Sequence, residues 1–477
     1  MNTPITRLFL VVVGLFAILV VFTSRWTVFG AQKLQHNPKN FRAVLEEQRI
    51  HRGLIRAADG TVLARSVRRS DGTYTRRYPQ NGLFAHAVGY SYTTLGRTGL
   101  EKSRNAQLTG NQGQFGSLLQ QVTGSERAGD DVLTTLNPAA QRIALQQLNG
   151  RKGAVVALDP RTGAVKVMAA DPGYDPNKIP DARVYGQLTS KSNQDAPLLN
   201  RSTQSGYPPG STFKVVTAIA AIDSGRYTPD SILNGKSPHI ISGTPLSNFN
   251  NEQFGDITLT TALTQSVNTV WAQVGEKLGK QTMKTYMDRL GFDAQPPLDL
   301  PSGELRASGE FRNGALLPPI SRFVDVGRMA IGQDKLNVTP LQMAMVASAV
   351  ADDGRLMKPH LVDRVVDRDG RTVDRVQPQQ QSRVMSAASA QKVNQMMQNV
   401  VREGSGTAAA LQGIDVAGKT GTAEVGRSCG PNQLWFIAFA PAKNPKVAVA
   451  ATVECGQGTG GTVAAPIAKA VMQELLK

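Results

Sequence analysis

Strand-forming segments stand at the two ends of the last two-thirds of this chain, with helix-forming ones between them, and that placement most narrows what it can fold into. Gly153–Ala170 (GAVVALDPRTGAVKVMAA) is a pair of β-rich runs around an Asp-Pro-x-x-Gly turn, the pattern of a hairpin. Ala417–Val425, Leu434–Pro441 and Val447–Glu454 read as three further strands joined by short loops, followed by a helix over Ala465–Leu476. Together they predict an α/β (α+β) domain whose antiparallel sheet is assembled from chain-distant segments and covered by helices. The two cysteines fit that topology. In an antiparallel meander the exit of the first strand, the start of the second and the exit of the third share one end of the sheet, and Cys429 and Cys455 lie there. A Cys429–Cys455 disulfide is predicted, against the alternative of two free thiols.

Upstream the texture differs. Residues 31–150 are polar, basic and turn-rich, with short extended stretches such as Gly53–Leu63, and close on a helical segment, Leu136–Leu148, after an Asn-Pro start. Before them Leu8–Phe22 is an unbroken apolar run of 15, extendable through Thr6 and Thr23, with Arg7 and Arg25 placed to snorkel. A cleaved signal peptide is the rival to a membrane anchor. Ser24–Gly30 carries Arg, Trp, Val and Phe rather than a small-x-small cleavage site, which favours an uncleaved anchor. Basic residues flank the run on both sides, so charge does not fix its orientation. At 477 residues there is room for two or three domains. The net charge of +17 suits an anionic partner: nucleic acid, acidic lipid or an acidic wall polymer. The basic residues are scattered, apart from a dense stretch at Arg65–Arg77, and no nucleic-acid signature accompanies them.

Gly456–Gly461 (GQGTGG) satisfies G-x-G-x-x-G between a strand and a helix, but the chain ends before a second strand or an acidic residue about 20 positions on, so it reads as a flexible connecting loop. The five histidines are isolated and no Cys/His cluster occurs, so no metal or cofactor is implied.

Tyr207–Ala218 (YPPGSTFKVVTA) places Ser211 and Lys214 on one helical face just after a Pro-Pro-Gly turn. The serine falls in the first turn, where free amides gather. The lysine enters a helix apolar nearly all round, and burial there favours its neutral amine, which can take a serine proton. A capping serine beside a snorkelling lysine explains the same spacing, and a second S-x-x-K at Ser389–Lys392, in a polar helical stretch, shows how cheap the pattern is. Order discriminates. Only Ser211…Lys214, then Ser266-Val267-Asn268, then Lys419-Thr420-Gly421 runs as S-x-x-K, S-x-N, K-T-G, the triple of serine β-lactamases and penicillin-binding proteins. Lys419 opens a strand whose edge continues through Thr422, and Gly421 allows close backbone approach to a ligand.

On these motifs, with Arg52–Ala64 (RGLIRAADGTVLA), Gly153–Pro176, Asn200-Arg201 and Val338–Ala344 (VTPLQMA), the chain resembles a class B penicillin-binding protein of the penicillin-binding protein A type. Ala57-Ala58 stand where the family's first motif often has Asp-Arg. The resemblance implies a serine β-lactamase/transpeptidase-like domain over residues 151–477, a small dimerisation-like pedestal over 30–150, and a tail with one transmembrane helix over 1–29. It implies a peptidoglycan D,D-transpeptidase. Ser211 would attack a D-Ala-D-Ala stem peptide with Lys214 as base. The Ser211 and Thr422 amides would receive the oxyanion, Ser266 would relay a proton, and Asn268 would hold Lys214 and the substrate amide. Lys419, Thr420 and Thr422, with Gly421 beside them, would bind the terminal carboxylate. β-Lactams would acylate Ser211 and stay. The catalytic domain would be extracytoplasmic, on a single-pass anchor in the cell membrane, with glycosyltransferase or division and elongation proteins as partners. About 120 residues before the catalytic domain are too few for an added glycosyltransferase. A D,D-carboxypeptidase or β-lactamase, and a non-catalytic β-lactam sensor, are the alternatives.

Overall fold

The computed structural model describes residues 3–25, 47–110, 128–427 and 430–477. Helix α1 (Thr3–Ser24) has a mean hydropathy of 2.8 and buries none of its residues. Its 22 residues span about 33 Å, the thickness of a bilayer's hydrocarbon core.

The N-terminal region builds on short strands β1 (Ile55–Arg56), β2 (Val62–Arg68), β3 (Tyr74–Arg77) and β4 (Asp131–Thr134). Two further strands from far along the chain, β7 (Val362–Val366) and β8 (Thr372–Arg375), complete a six-stranded sheet of order β8-β7-β4-β1-β2-β3. The β7–β4 seam is antiparallel, with Val365 opposite Val132 and both buried, so the N-terminal region and the C-terminal part of the chain share one sheet. Beneath it Glu101, fully buried, bridges Arg52 at 2.7 Å and Arg76 at 2.5 Å.

Helix α2 (Pro138–Leu148) starts as its Asn-Pro signal requires: the Asn137 side chain accepts from Ala140 N at 2.9 Å. The predicted hairpin is β5 (Gly153–Leu158) and β6 (Val165–Asp171). The predicted meander is β9 (Ala417–Arg427), β10 (Gly430–Ala440) and β11 (Val447–Gly456). They form an antiparallel sheet of order β9-β10-β11-β5-β6, leaving β9 as a free edge. Every residue of β5 is buried because the sheet is covered on both faces, which is why GAVVAL shows no polar alternation. On one face Val155, Phe436 and Val449 pack with α2 and the last helix, α8 (Ala465–Leu475). On the other, Val156, Ile437 and Ala450 join the main core, which includes α3 (Lys214–Asp223) and α6 (Pro340–Ala351), all of whose twelve residues are buried. Helix α2 therefore packs into the C-terminal unit, although the boundary read from sequence at 150 assigns it to the pedestal. Its Ala140, Ala144 and Leu148 belong to the core that holds Ile467, Ala468 and Val471.

Candidate active site

The serine turn is built by a glycine and held from several sides. Gly210 adopts φ +52°, after which Gly210–Phe213 forms a tight 3-10 turn and α3 begins at Lys214. A side chain at Gly210 would meet Thr422 O at 2.9 Å, so the turn lies directly against the free edge of β9. Gly210 N donates to Gly332 O at 3.0 Å, and Trp435 Nε1 donates to Pro208 O at 2.9 Å. Nine of the ten residues of α3 are buried, Lys214 included, as its apolar sequence requires.

Burial, reinforced by the neighbouring Lys419 charge, drives the Lys214 amine well below the usual lysine range. Its Nζ lies 2.7 Å from Ser266 O, 2.7 Å from Asn268 Oδ1 and 3.3 Å from Ser266 Oγ. The two shortest contacts go to oxygens that can only accept, so a neutral amine donates both its hydrogens there and retains a lone pair. Among the described residues no hydrogen bond joins Ser211 Oγ to Lys214. The direct contact expected from their i, i+3 spacing is replaced by the amine's turn toward Ser266 and Asn268, and Ser211 is half-buried.

Ser266 sits in the connection between α4 (Leu259–Thr264) and α5 (Asn268–Arg289), with φ +60°. Asn268 Nδ2 donates to Ser247 O at 3.1 Å, which fixes the amide so that its oxygen faces Lys214. Lys419 reaches the same serine: its Nζ is 2.9 Å from Ser266 Oγ and 3.1 Å from Thr420 O. All these partners are neutral, and burial lowers the Lys419 pKa to about 7. Among the described residues, Ser266 Oγ is thus the one atom to which both amines are hydrogen-bonded.

On β9, Thr420 Oγ1 lies 2.6 Å from Ser405 Oγ, and Thr422 Oγ1 accepts from Gly460 N at 3.1 Å, leaving the Thr422 hydroxyl hydrogen to donate elsewhere. Gly421 has a different neighbour from the one its sequence suggests. A side chain there would meet Pro209 O at 2.7 Å and Thr212 Cγ2 at 2.9 Å, so its missing side chain admits the serine turn rather than a ligand. The GQGTGG segment joins β11 to α8, but it runs from the strand's last residue, Gly456, into a largely buried helical turn, Gly460–Ala464, rather than forming a free loop; Gly460 lets it press on β9, since a Cβ there would lie 2.3 Å from Gly421 O. The second S-x-x-K lies on α7 (Ala387–Arg402), where Ser389 Oγ is engaged by the cap residue Ser386 at 2.7 Å. Cys455 is disulfide-bonded, and Cys429 lies outside the described residues. Ser405, Trp435 and Gly332 were not evident from sequence. Ser405 carries no signal in its Gly-Ser-Gly setting, whereas Trp435 stands opposite Gly421 in register, a pairing that aligning the two predicted strands would have suggested.

The three motifs thus meet where a helix start, an inter-helix connection and a sheet edge converge. The sequence profile of the penicillin binding protein transpeptidase domain matches residues 153–473. The chain belongs to the penicillin-binding protein transpeptidases. The profile of the penicillin binding protein A dimerisation domain matches residues 52–132. Among relatives of this family, the peptidoglycan D,D-transpeptidase PbpA of Mycolicibacterium smegmatis is 34% identical over 504 aligned positions, covering 100% of this chain and 99% of that protein. An imipenem acyl-enzyme complex of penicillin-binding protein A from M. tuberculosis superposes with a TM-score of 0.82 at 32% identity, covering 91% of this chain and 100% of that one. The D,D-transpeptidase domain of a peptidoglycan glycosyltransferase from Eggerthella lenta does so at 0.78 and 34%, covering 90% and 98%.

Proposed function

We propose that this penicillin-binding protein cross-links peptidoglycan by acyl transfer through Ser211. The Ser211 hydroxyl proton passes to the free lone pair of Lys214 as Oγ bonds to the penultimate D-Ala carbonyl carbon of a stem peptide. The developing oxyanion is received by the amides of Ser211 and Thr422. The Thr422 carbonyl faces the serine turn, and in a strand a residue's N–H points the same way as its C=O, which supports that assignment. As the tetrahedral adduct collapses, the bond to the terminal D-Ala nitrogen breaks. Ser266, in contact with both amines, passes its proton to that nitrogen and takes up the one held by Lys214, which returns to the neutral amine. Asn268 holds Lys214 and the substrate amide, and Lys419, Thr420 and Thr422 bind the terminal carboxylate. An amine of a neighbouring stem then attacks the ester carbonyl and gives a proton to Lys214, which passes it to Ser211 Oγ as the ester bond breaks, restoring the hydroxyl and the neutral amine. A β-lactam follows the first half and remains as the acyl-enzyme.

The observation that carries this reading is the convergence of Lys214 and Lys419 on Ser266 Oγ beside the Ser211 turn. Around it, α1 is a single-pass anchor, with the chain beyond Phe29 outside the membrane. Cys429 and Cys455 form one disulfide in that oxidising setting. A pedestal over 30–150 lifts the catalytic unit of 151–477 toward the wall and meets glycosyltransferase or division and elongation partners. Purified protein given a D-Ala-D-Ala thioester with and without a D-amino-acid acceptor tests the reaction. Aminolysis product that disappears in Ser211→Ala is expected. Hydrolysis that acceptor never diverts would instead make the enzyme a carboxypeptidase, and a wild-type protein that fluorescent penicillin fails to label would refute Ser211 as nucleophile.

A further inference from the structure

The strand that ends at the disulfide carries a carboxylate whose position the acyl-transfer chemistry leaves unexplained. Along β11 the ladder with β10 runs in register as far as Val453 opposite Leu434 and resumes at Gly456 opposite Asn432, so Glu454 and Cys455 together face a single residue. That is a bulge, and Cys455 takes φ +53° within it. A bulge re-aims a side chain. Here it turns Glu454, only 12% exposed, toward the segment that leads into Ser211.

Glu454 Oε1 accepts from Tyr207 Oη at 2.6 Å and from Arg201 Nε at 2.9 Å. Arg201 is itself fixed, with Nη1 and Nη2 donating to Ala196 O at 3.3 Å and Asp195 O at 2.6 Å. Tyr207 is four residues before Ser211. Its backbone exchanges hydrogen bonds with Val338 at 2.9 and 2.8 Å, and its ring stands edge-on to Trp435, the residue whose indole holds Pro208 O. The turn that aims the Ser211 amide and hydroxyl is therefore anchored at Tyr207 by Val338 through backbone and by Glu454 through side chain.

We infer that Glu454 is a positioning residue for acylation, acting through Tyr207 on the orientation of the Ser211 turn. This rests on Ser211 being the nucleophile. An oxyanion donor and a nucleophile on one short turn must be held to a fraction of an ångström relative to the Thr422 amide. Glu454 supplies a fixed hydrogen-bond acceptor to the hydroxyl of the tyrosine that sets the start of that turn. Removing the Tyr207 hydroxyl or the Glu454 carboxylate leaves the substrate-carboxylate pocket on β9 intact and disturbs the geometry of attack.

Stopped-flow acylation of the full-length protein by benzylpenicillin separates the pre-covalent binding constant K from the chemical rate k2. Rates are scaled to the fraction of protein titratable at saturation, so misfolded material does not count. Tyr207→Phe and Glu454→Ala are expected to lower k2 about tenfold with K within twofold. Glu454→Gln, which keeps an oxygen for the Tyr207 hydroxyl, should recover most of the loss. Tyr92→Phe, which removes a hydroxyl bonded to Pro176 O away from the cleft, is the control and should match wild type. Unchanged k2 in both Tyr207→Phe and Glu454→Ala, or a loss carried by K, overturns the inference. Lack of labelling in the wild type would instead overturn the assignment of Ser211.

Discussion

Replacing Gly421 by alanine adds one methyl group at the seam between β9 and the serine turn. Three atoms stand in its way: Pro209 O at 2.7 Å, Thr212 Cγ2 at 2.9 Å and Trp435 Cβ at 3.0 Å. Comfortable contact lies near 3.5 Å, so the shortfall is about 0.5–0.8 Å on each side, and none of the three is the tip of a flexible chain. Gly421 does not occupy the left-handed region, so the cost is steric crowding rather than backbone strain. Relief comes from β9 and the Pro209–Thr212 turn moving apart by roughly that amount, which parts the Thr422 amide from the Ser211 amide. A displacement near 1 Å typically costs about a hundredfold, so acylation should slow by about ten- to a hundredfold. The overpacking should lower stability by about 1–3 kcal/mol. Second-order acylation by a fluorescent penicillin reads the first number, and denaturant unfolding reads the second. Gly186→Ala, where an added methyl meets nothing within 4 Å, serves as the control. A Gly421→Ala protein that acylates at the wild-type rate would refute the claim that the two donors are kept in register by this contact.

Because Lys419 has a pKa of about 7 with no acidic partner among the described residues, the charge that the proposed reaction offers a substrate carboxylate fades as pH rises through neutrality. KM for a D-Ala-D-Ala thioester should climb toward tenfold per pH unit above that point, and an analogue lacking the terminal carboxylate should show no such rise. Glu310 is fully buried, and burial with the nearby Asp334 lifts its carboxyl to about 8, so the folded protein holds a proton that the unfolded chain releases near 4.5. Stability should therefore fall as pH rises between those values, by on the order of 5 kcal/mol in all, and Glu310→Gln should flatten the dependence of thermal melting on pH. Glu101→Gln leaves Arg52 and Arg76 buried without their counter-charge, and should lower unfolding free energy by about 3–5 kcal/mol in denaturant titration.

The reach of the sequence follows from how far apart the interacting residues lie. The β5–β6 hairpin and the β9–β11 meander were readable because their turns and apolar runs are local. Burial of Lys214 was readable because the apolar residues that enclose it on α3 surround it in sequence. The joining of β7 to β4 was not, since it links Val362–Val366 to Asp131–Thr134 and neither short strand alternates cleanly. The same holds for the site. Motif order singled out residues that converge in space, but the aim of Lys214 depends on Ser266 and Asn268, more than fifty positions away, and spacing along one helix is silent about that. Gly421 shows the remaining limit: a glycine marks a close approach without saying by what.

The six-stranded sheet that straddles the pedestal and the catalytic unit has a mechanical corollary. Strands β7 and β8 act as a mortise cut from one part and glued into the other, so among the described residues the two parts are joined by a continuous sheet rather than by a narrow waist. A chimaera spliced at residue 150 would split that joint, leaving four strands of the sheet on one side and two on the other.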